Sequence, residues 1–227
     1  MTQAALRVRQ LLKRFPDPEG GAPLEIGLAS LDVAAGEAVA LAGESGTGKT
    51  TLLHLIAGIQ RADGGTVEIA GEPMTGRSEA ARDRLRAKHV GYVFQTFNLL
   101  PTLTALENVE LGMTFRPRAG GKPREAAKRA LERVGLGARL QHRPDQLSTG
   151  QQQRVAIARA LAGHPALVLA DEPTSNLDRA AGEACLTLLR EFAKETGAAL
   201  LVVSHDAEVL ARFPRVVRLE AAAGARA

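Results

Sequence analysis

The chain has 227 residues, 45% of them hydrophobic and 24% charged, with six Phe, one Tyr and no Trp. That length fills a substantial core within one domain, and the mixture is that of an ordinary globular protein. The formal charge of +4 raises the question of nucleic acid. The basic residues, however, alternate with acids along helices, as in RSEAARDRLRAK (77–88), so no nucleic-acid partner is expected. A single cysteine, Cys185, excludes an internal disulfide and suits a reducing compartment, where it reads as a small buried residue on a helix. The longest apolar reach, VAIARALAGHPALVLA (155–170), is broken by Arg159, His164 and Pro165 and falls short of the ~20 apolar residues that span a bilayer. No uninterrupted apolar run of the signal-peptide kind opens the chain.

In chain order, strands are predicted at 7–12, 24–33 and 38–43, then a helix from Lys49 to about Ile59. ADGG (62–65) reads as a turn before a strand at 66–71, followed by a charged helix at 77–88 and a strand at 90–95 ending on Gln95. Thr104 reads as the N-cap of a helix carrying ALENVELGM, and another helix follows RAGGKP at 124–134. The last third reads as helix 150–162, strand 166–170, helix 179–195, strand 198–203, a short helix and strand 215–219. Residues 221–227 read as a frayed tail. ALVLA and ALLVV are almost wholly apolar, which suits parallel strands covered on both faces, and the alternation of strand and helix argues for an α/β domain. Residues 96–147 break that alternation and read as a helical subdomain, about 96–162 with the following helix, inserted into a single domain spanning 1–220.

GESGTGKT (43–50) stands between a strand and a helix and has the phosphate-loop pattern: Gly43, Glu44, Ser45, Gly46, Thr47, Gly48, Lys49 and Thr50, with Thr51 next on the helix. Glycines let backbone N–H groups close around phosphate oxygens, Lys49 neutralises the β- and γ-phosphates of ATP, and the Thr50 hydroxyl suits Mg²⁺. A second strand, ALVLA, runs into Asp171 and Glu172. An Asp-Glu pair in that position is ordinarily a solvated loop. In a chain with a phosphate loop it instead places Asp171 to hold an Mg²⁺-bound water and Glu172 to orient the water that attacks the γ-phosphate. Ser204, His205 and Asp206 follow the next strand. Consecutive residues point apart and cannot form a hydrolase triad, so His205 reads as a γ-phosphate contact at the strand edge. Ser148, Thr149 and Gly150 open a helix, and its free N–H groups form a second anion site about a hundred residues after the first.

Taken together, the phosphate loop, Gln95, LSTGQQQR (147–154), Asp171-Glu172, SNLD (175–178) and His205, in that order, resemble the ATP-binding subunit of an ABC transporter over essentially the whole chain. The resemblance implies a P-loop NTPase core with a mostly parallel sheet, an N-terminal antiparallel β subdomain and the inserted helical subdomain. It further implies a head-to-tail homodimer in which Ser148, Gly150 and Gln151 meet the γ-phosphate of the partner's ATP and Asp178 lies in the loop crossing the interface. Phe15, 34 residues before Lys49, matches the family's adenine-stacking aromatic, usually Tyr, and Gln95 matches the glutamine that reaches Mg²⁺ and the attacking water. Thr149 departs from the family's usual glycine at that place.

FQTFNLLPTLTALENVEL (94–111) and ADEPTSNLD resemble the lipoprotein-releasing and macrolide-exporting branch, LolD-like and MacB-like. That branch implies an integral membrane permease docking on residues 96–106, from Thr96 to Leu106, and a cytoplasmic location on the inner face of a bacterial membrane. An FtsE-like cell-division ATPase coupled to a membrane partner that transports nothing is the alternative. A soluble DNA-repair or translation ATPase fits less well, since only 98 positions separate Thr50 from Ser148, without a coiled coil or cysteine cluster between them.

Overall fold

A computed structural model describes residues 4–17, 20–44, 46–114 and 122–219; Ser45 and the tail at 221–227 lie outside the described residues. Nine strands and seven helices are described, in the order β1 (Ala4–Phe15), β2 (Leu24–Ala34), β3 (Ala38–Ala42), α1 (Lys49–Ile56), β4 (Gly64–Ile69), β5 (Glu72–Pro73), α2 (Glu79–His89), β6 (Val90–Val93), α3 (Ala105–Leu111), α4 (Pro123–Arg133), α5 (Thr149–Leu161), β7 (Leu167–Asp171), α6 (Arg179–Thr196), β8 (Ala199–Ser204), α7 (Ala207–Leu210) and β9 (Arg215–Arg218).

They form two sheets. One is four-stranded, β2-β1-β4-β5, and wholly antiparallel. It is the expected β subdomain, although its strands come from both sides of β3 and α1 rather than from the N-terminus alone. The other is five-stranded, β6-β7-β8-β3-β9, and every described pairing in it is parallel. Its central strands are buried along their whole length, which is why ALVLA and ALLVV carry no polar alternation. Successive residues still face opposite ways. Val39, Leu41, Leu201 and Val203 meet α1 and the antiparallel sheet, while Ala40, Leu200 and Val202 meet α3 through α6. The five-stranded sheet is thus sandwiched between two apolar clusters. Helices α3, α4 and α5 pack on one another, and α5 also lies against β6 and α6.

Several boundaries differ from expectation for local reasons. Helix α1 stops at Ile56, because Gly58 takes φ +65° and the His54 carbonyl accepts from both Ile59 and Gln60 N–H, closing the last turn. Strand β6 stops at Val93, so Gln95 lies two residues beyond the strand. The short strand β5 has no signal of its own and exists by pairing Glu72 with Ile69. Thr104 does cap α3, in a reciprocal box with Glu107. No described helix is long and apolar enough to cross a membrane.

Cys185 is 2% exposed on α6, between the Pro173 carbonyl and Gln153, and burial pushes its thiol up to about 12. Thiol reagents at pH 8 should therefore label Cys185 only at the rate of unfolding; fast labelling of the native chain would show the site to be open. Asn108, also buried, accepts from Leu100 N–H and donates to the carbonyls of Leu100, Leu103 and Thr104. Asn108→Ala leaves those groups without partners and should cost about 2–4 kcal/mol in urea unfolding.

Candidate active site

In the parallel sheet every strand ends on the same edge, and the register brings those ends level. Ala42 pairs with Ser204, Asp171 with Val203, and Ala170 with Val93. The residues that follow, Gly43, His205, Glu172 and, two positions out, Gln95, therefore emerge side by side at the carboxyl edge, where open α/β sheets bind ligands.

The loop after β3 is built for close approach to an anion. Gly46 and Gly48 adopt φ +83° and +87°. A Cβ on Gly48 would come within 2.5 Å of Ile26, and one on Gly43 within 2.8 Å of Thr47 Oγ1. A Cβ on Gly46 would meet nothing within 4 Å, so at that position the loop faces open space. Lys49, 7% exposed, donates from Nζ to the carbonyls of Gly43 and Glu44 at 2.8 Å each and stands 3.8 Å from Glu172 Oε1. The N–H groups that open α1 point from Gly48 into the same space.

Glu172 is the most constrained residue at this edge. It is 8% exposed, sits at φ +43° and donates its N–H to the Val203 carbonyl. Its Oε1 lies 2.7 Å from His205 Nδ1, and its Oε2 accepts from Ser204 Oγ at 3.2 Å. Ser204 Oγ in turn accepts from Asp206 N–H. The last residue of β8 and the two that follow it thus serve one carboxylate, with His205 turned to Glu172 through one ring nitrogen and half exposed beyond it. The sequence did not show Ser204 in this part.

Asp171, 4% exposed, takes a hydrogen bond from the Thr50 side chain, while no donor among the described residues reaches its Oδ1. Burial pushes its carboxyl above the ordinary range, and the Thr50 hydrogen bond pulls the other way. Among the described residues no three of His, Cys, Asp and Glu gather into a metal cage. A cation beside Thr50 and Asp171 would complete its shell with phosphate oxygens, the way Mg²⁺ is held when substrate supplies ligands.

Other expected residues lie elsewhere. Phe15 ends β1, opposite Leu24 and two pairs along from Lys13–Ile26; Ile26 is the side chain against Gly48, so Phe15 sits on the hairpin flanking the phosphate loop. Asp178 caps α6 by accepting from Ala181 N–H. Gln95 is exposed, and its carbonyl accepts from Asn176 Nδ2 at 2.7 Å. Ser148 is the N-cap of α5 in a box with Gln151, leaving the N–H groups of Thr149 and Gly150 at the first turn without intrahelical acceptors. Helix α5 packs on the edge strand β6, three strand spacings from β3, or roughly 14 Å across the sheet. The structure does not bring the two helix starts of one chain together.

The match with known proteins is extensive. The ABC transporter family model covers residues 27–175, and the chain belongs to that family. It is 51% identical over 189 residues to the uncharacterized ABC transporter ATP-binding protein YbbA of Escherichia coli K12, covering 83% of each chain. It is 43% identical over 219 residues to the lipoprotein-releasing system ATP-binding protein LolD of Hydrogenovibrio crunogenus, covering 96% of this chain and 95% of that one. Among solved structures, the dimeric ABC cassette MJ0796 superposes with a TM-score of 0.85 at 36% identity, covering 94% of each chain. A post-hydrolysis dimer of the same cassette, bound to ADP and phosphate, superposes at 0.83 and 35% identity, covering 95% of this chain and 94% of that one. The chain is an ABC-type ATPase: it binds ATP and cleaves it to ADP and phosphate.

Lys49→Ala should weaken ATP binding by ~30-fold or more in calorimetry, the scale of losing a charged hydrogen bond to phosphate, without lowering the thermal midpoint. Unchanged affinity would place the nucleotide elsewhere.

Proposed function

We propose that this chain is the motor subunit of a membrane ABC transporter of the lipoprotein-release or efflux type, and that it works as an ATP-driven head-to-tail homodimer. The observation that carries the dimer is the separation of the two helix starts. ATP cradled at residues 43–50 lies across the sheet from the α5 N-terminus of the same chain. A two-fold partner presents its own α5 to that ATP and receives the same service in return. The dimeric state of MJ0796 and the name of the LolD relative support this reading.

Gly150 adds a test from within the chain. A Cβ there would meet only Ala181 Cβ, at 3.5 Å, an ordinary contact. The chain's own packing does not require a glycine, which fits a position reserved for something that approaches from outside. Ser148 is compatible with the same role: its Oγ accepts from Gln151 N–H, and its proton remains free to donate to a phosphate oxygen.

In the proposed roles, Gly43, Glu44, Ser45, Gly46, Thr47, Gly48 and Thr51 contribute the loop and helix start that hold the phosphates, and Lys49 neutralises them. Phe15 gives a ring face for the adenine, and Asp178 lies at the interface. Glu172, fixed by Ser204 and His205, accepts a proton from the attacking water as it adds to the γ-phosphorus. Gln95 orients that water from the other side. Thr50, Asp171 and Gln95 would hold Mg²⁺, which when bound neutralises charge developing on the phosphate oxygens. Residues 96–162 act as a helical subdomain of one domain, 1–220. Residues 96–106, with Leu100 45% exposed, meet the permease, and the chain works in the cytoplasm on the inner face of the membrane.

Glu172→Gln should retain ATP binding, lose turnover by ~10²–10⁴-fold and run as a dimer only with ATP in light scattering. Gly150→Ala in that background should melt no lower than its parent yet fail to dimerise, since the added methyl stabilises a helix and obstructs only a partner. Dimerisation of Gly150→Ala at the parent's affinity would remove α5 from the interface.

A further inference from the structure

Three carbonyls of the loop leaving β6 are held from outside the loop. The Gln95 carbonyl accepts from Asn176, which lies between Glu172 and Asp178. The carbonyls of Phe97 and Asn98 accept from the two terminal nitrogens of Arg159, at 2.6 and 2.5 Å. Arg159 stands on α5, eleven residues and three turns after Ser148.

The grip goes with an unusual backbone. Phe97 and Asn98 both adopt left-handed φ, at +53° and +48°, and neither is glycine. Such a pair persists where the surroundings over-determine it. The Arg159 stem runs through a gap kept open by Gly112 at the end of α3, where a Cβ would come within 2.7 Å of Arg159 Cγ. The guanidinium is partly withdrawn from water, and among the described residues no carboxylate pairs with it. A charge in that position is costly to keep, and the fork of an arginine is the side chain that can hold two adjacent carbonyls at once. At its far end the loop is anchored on α3 through Asn108. Arg159 is therefore the tie between residues 96–98 and the helix that opens at Ser148.

We propose that Arg159 is a positioning residue for hydrolysis: its grip on the Phe97 and Asn98 carbonyls makes the loop carrying Gln95 move with α5. This rests on the reading that α5 meets a partner's phosphate and that Gln95 serves the water. A displacement of α5 when the dimer closes is passed to the backbone two residues beyond Gln95, so Gln95 is set for reaction only when the partner's ATP is in place. Asn176 adds the same constraint from the loop that carries Glu172.

The test uses Arg159→Met, which keeps the stem and removes the fork, and Arg159→Lys, which keeps the charge but offers a single point donor. Arg159→Met should lower kcat ~10-fold or more with KM for ATP within about twofold, the pattern of lost positioning rather than lost binding. In the Glu172→Gln background it should still dimerise with ATP. Hydrogen exchange over 96–101 should rise, and the slowing of that exchange by ATP should disappear. Arg159→Lys should fall between the two and keeps the measurement available if the Met chain fails to fold. Wild-type kcat despite faster exchange makes the contact merely structural and overturns the proposal, as does unchanged exchange. Loss of ATP binding or of the dimer in Arg159→Met also overturns it, because the residue would then support α5 itself. If the Glu172→Gln parent does not dimerise with ATP, the dimer reading falls by itself, and kcat with exchange over 96–101 in Arg159→Met still decides whether the grip positions Gln95.

Discussion

The arrangement of this molecule follows from the parallel sheet. Five strands run the same way, so five strand ends and the loops after them share one edge. Parallel pairing demands long crossovers, and each crossover must cover a sheet face with apolar helix. The two clusters on either face of β3, β7 and β8 meet that demand. With both faces buried, the polar chemistry has nowhere to go but the edge. Asp171, Glu172 and Ser204, each at or next to a strand end, and Lys49, which opens α1, are buried polar residues grouped there.

The same constraint separates the starts of α1 and α5. Helix α1 follows β3 directly and starts inside the cradle. Helix α5 follows a long excursion through α3 and α4 and packs against β6, at the far side of the sheet. Both helix starts present free N–H groups and the positive end of a dipole. On the proposed reading, this distance makes the ATP itself the connector: closure gains contacts at both ends of each nucleotide, and binding to the closed pair alone shifts the equilibrium toward it. The chain's packing leaves space for this at Gly46 and Gly150, where an added Cβ meets nothing or an ordinary contact.

What the sequence disclosed was local or periodic. The phosphate loop, the purely apolar runs of β7 and β8, the Thr104 cap and the buried Cys185 could be read because each depends on neighbours a few residues away. The end of β6 could not. VGYVFQ is apolar to Phe94, yet the strand stops at Val93, and the Gln95 carbonyl beyond it is taken by Asn176, 81 positions later. Asn108, inside ALENVELGM, has no signal of its own in the sequence; its importance lies in holding the loop from Leu100 to Thr104. Arg159 read as an interruption in an apolar run, while its role depends on carbonyls more than sixty residues earlier. Long-range side-chain-to-backbone bonds leave no period and no motif.

Glu172 shows how such bonds bear on catalysis. On the proposed reading Glu172 takes a proton from water only when both halves of a site are assembled, and until then it has to be held still. Lys49 at 3.8 Å is too far for a hydrogen bond, and its Nζ is already committed to two carbonyls. Ser204 and His205 supply the short contacts instead, one to each oxygen. Both stand at the carboxyl end of β8, whose register with β7 places Val203 beside Asp171 and whose Val203 carbonyl accepts the Glu172 N–H. The left-handed backbone of Glu172 is therefore held by the neighbouring strand through both main chain and side chain. A carboxylate held this way can wait in one position, and what remains to be supplied is the water and the group that orients it. On the proposed reading that second group is Gln95, on the loop tied to α5, so the proton acceptor is fixed by the sheet while the water's orientation follows the interface. Binding and hydrolysis can then be separate events in time, as a motor that closes before it cleaves requires.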